Sequence, residues 1–289
     1  MAELAGQAAL GREADLSRPS PLRAAMALGW REIVRFARQR NRIVGTLGTP
    51  LVFWLLFGTG LSRSFQLSAA GAGGQDFLQY YFPGSLLLIL LFAAIFSSIS
   101  IIEDRREGFL QSVLVAPIPR WSMVLGKVGG GAAIAWLQGL IFLALALTLN
   151  IETSAIGLVG LAVLLGAAAL GLTGLGFVIA WQMDSTQGFH AIMNLVLMPM
   201  WLLSGAFFPI PAWKSVAGVS DYLLHGAMRL NPLTYSVAGA RQLLYGGSTP
   251  AGFWQPSLGT CWLVTLVFAF AMLTLATRVA RQRTTGDLL

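Results

Sequence analysis

The chain has 289 residues, of which 56% are hydrophobic and only 11% are charged, and its mean hydropathy is +0.70. Soluble domains carry roughly a quarter charged residues, so this composition excludes an ordinary soluble domain and indicates a polytopic membrane protein. The net charge of +7 comes from basic residues that border apolar runs. This placement is typical of topology signals and argues against a nucleic-acid-binding protein. The single Cys261 excludes an intrachain disulfide and is expected to serve packing.

The first 42 residues precede the first long apolar run. They contain no apolar core of the signal-peptide kind, so a cleaved leader is not expected, and residues 1–21 are predicted to form a cytoplasmic tail. Residues 22–42 show helical periodicity with an apolar arc opposite a basic arc. The apolar arc holds Leu22, Met26, Trp30, Ile33 and Ala37, and the basic arc holds Arg31, Arg35, Arg38 and Arg42. Such a helix is expected to lie in the membrane interface with its arginines towards headgroup phosphates; a soluble helix packed on a partner is the alternative.

Six apolar runs are each long enough, at about 20 residues, to cross about 30 Å of hydrocarbon. They lie at residues 43–61, 82–102, 124–149, 156–181, 188–208 and 258–277. Fifteen of the nineteen lysines and arginines fall on one side of this arrangement, which predicts that both termini are cytoplasmic. The predicted fold is therefore an all-α integral membrane protein, multi-pass in the plasma (inner) membrane, in which residues 43–289 form a single six-span domain.

The predicted outside loops differ in length. A short turn is expected around Asn150, Ile151 and Glu152, whereas residues 209–256 form a long segment. Within it, residues 212–229 are too short and too polar to cross, so an external re-entrant or interfacial helical hairpin is expected between spans five and six. Its aromatic side chains suit the headgroup level, as an ordinary belt or as a ligand surface. They are Trp213, Tyr222, Tyr235, Tyr245, Phe253 and Trp254.

Several motifs for chemistry are missing from the sequence. Gly126-Lys127 is followed by Val128 and lacks the earlier glycine of a P-loop, so no ATP site of that kind and no cofactor are expected on this chain. His190 and His225 stand apart without a Cys/His cluster, which disfavours a metal site. The span centres hold no carboxylate or lysine, which disfavours an ion-coupled carrier and requires an energy source outside the chain.

A charged interlude, residues 103–127, separates the second and third spans. Within it an apolar ridge is predicted on one face of a helix that Pro117 ends. The ridge consists of Phe109, Leu110, Val113 and Leu114. Acidic Glu103, Asp104 and Glu107 lie towards its start, the end of a helix dipole that favours negative charge. The ridge fits a groove on a partner protein, although a helix lying on its own bilayer face would show the same periodicity.

Three groups of residues carry a family resemblance. The first is Arg106-Glu107-Gly108-Phe109-Leu110 with Leu114, Ala116-Pro117-Ile118 and Gly126-Lys127. The second is Leu203-Ser204-Gly205-Ala206-Phe207-Phe208-Pro209 with Asn231-Pro232-Leu233-Thr234-Tyr235 and Arg241. The third is Tyr81-Phe82-Pro83-Gly84. Together they resemble ABC transporter permeases of the type 2 class, which export drugs, lipids and polysaccharides. The external segment between residues 211 and 231 is longer than the family's compact form, so its role stays open.

The resemblance implies a second permease subunit, either identical in a homodimer or a homologue. It also implies two copies of a cytoplasmic ABC ATPase that bind ATP and Mg, while this chain is not an enzyme. Residues 22–42 would be a connecting helix in contact with membrane lipids, and residues 103–127 would hold the coupling helix. The implied ATPase-coupling residues are Glu103, Asp104, Arg106, Glu107, Gly108, Phe109, Leu110, Val113, Leu114 and Pro117. The interfacial helix residues are Trp30, Arg31, Arg35, Arg38 and Arg42.

The resemblance also implies that spans two and five line the translocation path. The residues it indicates are Ile95, Phe96, Ser97, Ser98, Asn194, Met198, Trp201 and Phe207, for which packing or lipid-facing roles are the alternative. Methionine and aromatic side chains suit an amphipathic cargo. The expected function is outward movement of a drug-like, lipid or glycan substrate by alternating access. An ion-coupled secondary transporter, or a membrane scaffold of another complex, is the alternative.

Overall fold

The structure is a computed structural model of the chain that describes residues 20–68, 77–145, 153–211, 218–246 and 254–282, with the backbone alone for residues 61–68. The regular elements within these ranges are ten helices. They are α1 (Pro21–Arg38), α2 (Arg40–Ser68), α3 (Phe77–Arg106), α4 (Phe109–Val115), α5 (Arg120–Leu143), α6 (Ala155–Trp181), α7 (Thr186–Leu202), α8 (Val219–Leu230), α9 (Pro232–Tyr245) and α10 (Leu258–Val279).

Some predicted features lie outside the described residues. They are the cytoplasmic tail as far as residue 19, the turn at Asn150, Ile151 and Glu152, and the aromatic residues Trp213 and Phe253. The external segment is described in part, as α8 and α9. Two consecutive helices are present there. Their arrangement as a hairpin and their position relative to a membrane stay predictions.

Five of the described helices are long and apolar enough to cross a membrane: residues 40–60 of α2, and α3, α5, α6 and α10. The predicted fifth span corresponds to α7, which has 17 residues. At 1.5 Å per residue α7 is about 25 Å long, shorter than the roughly 30 Å hydrocarbon core. The helical membrane class is thus confirmed, whereas the six-span arrangement stays a prediction.

The helix within the predicted fifth span is shorter than the span, because α7 ends at Leu202 and not at Phe208. The chain then turns through Gly205, whose φ of 75° is readily adopted only by glycine. The Gly205 carbonyl accepts hydrogen bonds from the Tyr80 hydroxyl and from Arg241, each at 3.1 Å. The turn is therefore held by α3 and α9.

The predicted helix over residues 22–42 is interrupted at Gln39. Its φ of −98° and ψ of 74° are not helical, and its N–H donates to the Phe36 carbonyl at 2.9 Å. Arg42 consequently belongs to the first turn of α2, which is continuous with the predicted first span.

Side-chain caps explain where several helices begin. The hydroxyls of Ser154, Ser185 and Ser257 accept backbone N–H groups at the starts of α6, α7 and α10. Asn231 accepts the Leu233 N–H at 3.1 Å and so begins α9, while its amide donates to the Met200 carbonyl. Each cap satisfies a backbone donor that a helix start leaves without an intrahelical partner.

The central helix of the bundle is α3. Leu86 to Leu91 are all 0% exposed, and α2, α5, α6 and α7 pack against this helix. A helix that is apolar around its whole circumference belongs in such a core position. The charged end of α3 is thereby held at a fixed place among the other helices.

Helices α1 and α5 pack side by side in the same direction. The Ser122 hydroxyl donates to the Pro21 carbonyl, and along the two helices Gly126 faces Ala25 and Gly130 faces Gly29. A Cβ at Gly130 would lie 2.7 Å from the Gly29 carbonyl oxygen, so only glycine permits this approach. Small residues at four-residue spacing are typical of closely packed membrane helices. α1 thus lies alongside a span for more than two turns, and its position at the membrane interface stays a prediction.

The neighbouring glycines of α5 provide a matched test of this packing. Gly130→Ala is expected to destabilise the chain by about 1–3 kcal/mol, since the new methyl group overpacks against α1. Gly129 has no atom within 4 Å of an added Cβ. Gly129→Ala is therefore expected to stabilise by up to about 1 kcal/mol through helix propensity. Thermal unfolding of the detergent-purified chain measures both, and equal midpoints for the two variants would contradict the α1–α5 contact.

Candidate functional site

Eight charged side chains from α1, α2, α5 and the end of α3 form one network, the charged cluster. Its cations are Arg31, Arg35, Arg42 and Lys127, and its anions are Glu32, Glu103, Asp104 and Glu107. The four positive and four negative formal charges balance. The cluster therefore has no net charge of its own.

Asp104 lies at the centre of the charged cluster with a side chain that is 0% exposed. The Arg31 guanidinium donates to both carboxylate oxygens, at 2.9 and 3.1 Å, and Arg35 donates at 2.6 Å. The Lys127 ammonium also donates to Asp104. These partners are needed because an unpaired charge away from water is unfavourable by several kcal/mol.

Lys127 joins α5 to α1 within the same cluster. Its side chain is 2% exposed, and its Nζ donates to Oε1 of Glu32 at 2.8 Å. Because α5 begins at Arg120, Lys127 lies about two turns inside the helix, and its predicted position on the cytoplasmic side of the membrane stays a prediction. Its charge is balanced by two carboxylates. It is thus a structural cation, unlike the accessible ionisable groups of ion-coupled carriers.

In the outer part of the charged cluster, the acidic residues are stabilised by ion pairs with arginines. Arg35 contacts Glu103 at 2.8 Å and Glu107 at 3.4 Å, and Arg42 also contacts Glu103. Glu103 lies in the last turn of α3, not at the start of the coupling helix as predicted. That helix end disfavours negative charge, so the arginines, and not a helix dipole, stabilise the carboxylates.

Three of the predicted interfacial arginines make ion pairs within the chain. Arg31 and Arg35 of α1 and Arg42 of α2 pair with carboxylates of α3, and contact of these arginines with headgroups stays a prediction. Arg38 is exposed and makes no ion pair with any residue that the structure describes. Trp30 is 67% exposed, as the apolar arc predicts.

The short helix α4 begins and ends where the sequence predicts. Gly108 precedes it with a φ of 77°, a left-handed conformation that turns the chain sharply out of α3. Ala116 is extended because the residue before a proline is restricted from helical geometry, and so α4 ends ahead of Pro117. α4 therefore lies between α3 and α5 in a defined orientation.

The apolar ridge of α4 faces the chain's own core. Leu110 is 1% exposed, and Val113 and Leu114 pack partly buried against the same core. The prediction of an exposed ridge is wrong for Leu110, because this side chain has no surface left for a partner. The exposed side of α4 and of the residues after it consists of Gln111, Ser112, Val115 and Pro117.

Phe109 connects α4 to the charged cluster. The Arg31 guanidinium lies 3.6 Å from the centre of the Phe109 ring, a cation–π contact. Burial by itself lowers the pKa of Arg31, but the hydrogen bond and charge of Asp104, together with Glu32 and Glu107, raise it above its ordinary value. Arg31 is therefore a permanent cation that contacts α3 and α4 at once.

The end of α3 has a second set of contacts, to the loop between α6 and α7. Arg105 donates to the Trp181 and Met183 carbonyls at 2.7 and 3.2 Å, and Arg106 donates to the Asp184 carbonyl at 3.0 Å. These bonds satisfy carbonyls left free at the end of α6. One helix end thus joins α1, α4, α5 and the start of α7.

At the opposite end of the bundle, the structure brings two of the family-like segments together. The Trp201 indole donates to the Gly84 carbonyl at 2.9 Å. A Cβ at Gly84 would lie 2.6 Å from the Cβ of Ala206, so the segment 81–84 and the turn after α7 touch through small residues. Arg241 from α9 lies 4.3 Å from the Tyr80 ring centre and completes this contact.

The predicted path residues divide into two groups. Ile95, Ser97, Ser98 and Trp201 are buried, at 3%, 7%, 2% and 4% exposure, inside the chain, and in this structure they do not line a surface open to a second subunit. Phe96, Met198 and Phe207 are partly exposed and Asn194 is exposed. Phe96 packs against His190 of α7, with 5.8 Å between ring centres. A role in the translocation path stays a prediction for the residues that are exposed or partly exposed.

Sequence reasoning missed Glu32, Arg105 and Lys127 as site residues. The available signal was a lysine between Leu125 and Val128, since a charged residue two turns inside an apolar helix must have a partner. Periodicity identified the helix faces but not the contacts between them. The pairing of Lys127 with Asp104 and Glu32 is a product of the fold.

Removal of the central cation tests the charged cluster. Lys127→Met is expected to destabilise the chain by about 3–5 kcal/mol, because it leaves Asp104 and Glu32 buried with one cation too few. Adding Glu32→Gln is expected to restore part of that loss. Arg38→Gln, at the exposed and unpaired arginine, is the control and is expected to change stability by less than about 0.5 kcal/mol. Equal thermal midpoints for Lys127→Met and Arg38→Gln would contradict the pairing.

Comparison with known proteins identifies the family of this chain. Residues 23–245, more than half of the chain, match the ABC-2 type transporter family. The chain is 22% identical to the daunorubicin resistance ABC transporter permease protein DrrB1 of Streptomyces coeruleorubidus, over 90% of this chain and 87% of the relative. It is 25% identical to the inner membrane transport permease YadH of Escherichia coli K12, over 73% of this chain and 78% of the relative. It is 26% identical to nodulation protein J of Rhizobium leguminosarum bv. trifolii, over 71% of this chain and 74% of the relative.

The family match extends from α1 to α9 and so includes the charged cluster, α4 and the turn after α7. The predicted resemblance is confirmed: the chain belongs to the ABC-2 type transporter family and is a transmembrane permease subunit of an ABC transporter.

Proposed function

We propose that this chain is the permease of an exporter that moves an amphipathic or hydrophobic substrate outward, powered by separate ATPase subunits that bind α4. The observation that carries the proposal is the position of α4. It follows α3 after a single turn at Gly108, and its Phe109 contacts Arg31 of the charged cluster. A displacement of α4 therefore acts on α1, α3 and α5 together.

The contacts give this coupling two routes. The first leads from Phe109 through Arg31 and Asp104 to Lys127 of α5. The second leads from the end of α3 through Arg105 and Arg106 to the loop that begins α7. When ATP binding brings two ATPases together, α4 follows, and α7 shifts relative to α3. Charge-assisted hydrogen bonds suit such transmission because their geometry is directional.

The membrane arrangement belongs to the same proposal. We place α7 and the turn after it as the fifth of six crossings, with α8 and α9 outside and both termini in the cytoplasm. The distribution of lysine and arginine supports this orientation. A second, identical subunit would face the accessible residues Phe96, Asn194, Met198 and Phe207. Their polarisable and aromatic surfaces suit a substrate with an apolar body.

The names of relatives guide the choice of a first substrate. One relative is a daunorubicin resistance permease, and another is a nodulation protein. Daunorubicin is therefore a reasonable first probe, and an amphipathic lipid or glycan is the next class. The buried, mutually neutralised Lys127 and Asp104 favour an external energy source over ion coupling.

The exposed face of α4 provides a test of ATPase coupling. Val115 is 84% exposed and is proposed to contact the ATPase. Because Val115→Asp removes this apolar contact, we expect it to reduce co-purification of the ATPase at least fivefold. We expect the same reduction in the stimulation of ATPase activity by the permease. The thermal midpoint of the permease alone is expected to stay unchanged. Leu110→Ala is the matched contrast: it opens a core cavity and is expected to destabilise by about 2–5 kcal/mol. Full ATPase stimulation with Val115→Asp would place the coupling surface elsewhere.

Reconstitution tests the source of energy. In vesicles that contain the permease and its ATPase, daunorubicin is expected to move only when ATP is present. Vesicles that contain the permease alone are expected to show no movement under a proton or sodium gradient. Gradient-driven movement by the permease alone would contradict the proposed function, and a fluorescence measurement of daunorubicin distinguishes the two outcomes.

A further inference from the structure

An apolar groove runs along the outside of the bundle between α1 and α5. It has a volume of about 330 Å³. Its lining is apolar and includes Leu22, Met26, Trp30 and Ile33 of α1 and Leu125 and Gly129 of α5. The volume falls within the range of small-molecule sites in proteins.

The groove exists because its floor has almost no side chains. Gly126 and Gly130 pack directly against α1, whereas a Cβ at Gly129 would meet no atom within 4 Å. The walls are exposed apolar side chains, with Met26 66% and Trp30 67% exposed. In a permease of the membrane, an open apolar groove of this kind fits an extended hydrocarbon chain.

Charge at one end of the groove distinguishes it from an ordinary lipid-facing surface. Trp30 also borders a second concavity of about 480 Å³, which Arg38 and Gln39 line as well. Two other arginines of this concavity, Arg31 and Arg35, are neutralised in the charged cluster, but Arg38 forms no ion pair with any described residue. Arg38 is exposed, so its guanidinium is accessible to a ligand in the concavity. An accessible, unneutralised cation beside an apolar groove suits the phosphate of an anionic lipid.

We propose that this groove binds an anionic phospholipid, with one acyl chain over Gly129 and the phosphate at Arg38. The occupant is a resident lipid of the leaflet in which α1 lies, and it is independent of the transported substrate. Charge complementarity at Arg38 favours a lipid over an apolar helix of a second copy, which would leave that arginine unpaired. The lipid would hold α1 against α5 at the surface opposite the charged cluster.

The test is native mass spectrometry of the full-length chain with dioleoyl phosphatidylglycerol or dioleoyl phosphatidylcholine. The chain is expected to retain one phosphatidylglycerol at least fivefold more than phosphatidylcholine. Gly129→Leu and Ala133→Leu place side chains in the groove and are each expected to reduce retention of both lipids at least fivefold. Arg38→Gln is expected to lower phosphatidylglycerol to the level of phosphatidylcholine. Gly48→Leu, at another glycine with open space around it, is the control and is expected to bind as the original chain does.

Three results would overturn the proposal. The first is unchanged phosphatidylglycerol retention in both groove variants with thermal midpoints equal to that of the original chain. The second is full displacement of phosphatidylglycerol by glycerol phosphate, which has no acyl chains and would indicate an anion site alone. The third is a change of oligomeric mass without a change in lipid retention, which would assign the groove to a second copy.

Discussion

The burial of Asp104 is the constraint on which the rest of the structure depends. A carboxylate at 0% exposure is stable only if cations are brought to it, and here they come from α1 and α5. The α1–α5 glycine contact brings both helices to the positions this requires. Packing and charge therefore specify the same arrangement, since neither Arg31 nor Lys127 reaches Asp104 unless the helices are close.

Because Asp104 draws its cations from several helices, the end of α3 is the place where those helices meet. Within four residues, Glu103 to Arg106 contact α1, α2, α5 and the loop before α7, and α4 follows directly. A partner that moves α4 moves a helix whose other contacts are directional hydrogen bonds. The buried middle of α3, from Leu86 to Leu91, connects this junction to the aromatic contacts at the far end of the bundle. One rigid core helix thus links the two ends of the permease.

The sequence allowed the helical membrane class, most helix positions, the short α4 and the family to be predicted, because these depend on local hydropathy, glycine and proline. It did not reveal the charged cluster. Arg31 and Asp104 are 73 positions apart, and periodicity shows which side chains share a face but not what that face contacts. The inward direction of Leu110 and the early end of α7 have the same cause. The end of α7 at Leu202 depends on long-range hydrogen bonds that Tyr80 and Arg241 donate to the Gly205 carbonyl.

The composition of the charged cluster also has a consequence for biosynthesis. Arg31, Arg35 and Arg42 leave the ribosome long before Asp104 and Lys127. During that interval their partners Glu103 and Asp104 have not been made, and the arginines are cations beside the first apolar run, a placement that predicts a cytoplasmic N-terminal segment. Once α3 and α5 have inserted, the same arginines become internal partners of Glu103 and Asp104. With the orientation that the charge distribution predicts, residues that first direct insertion are then used to complete assembly.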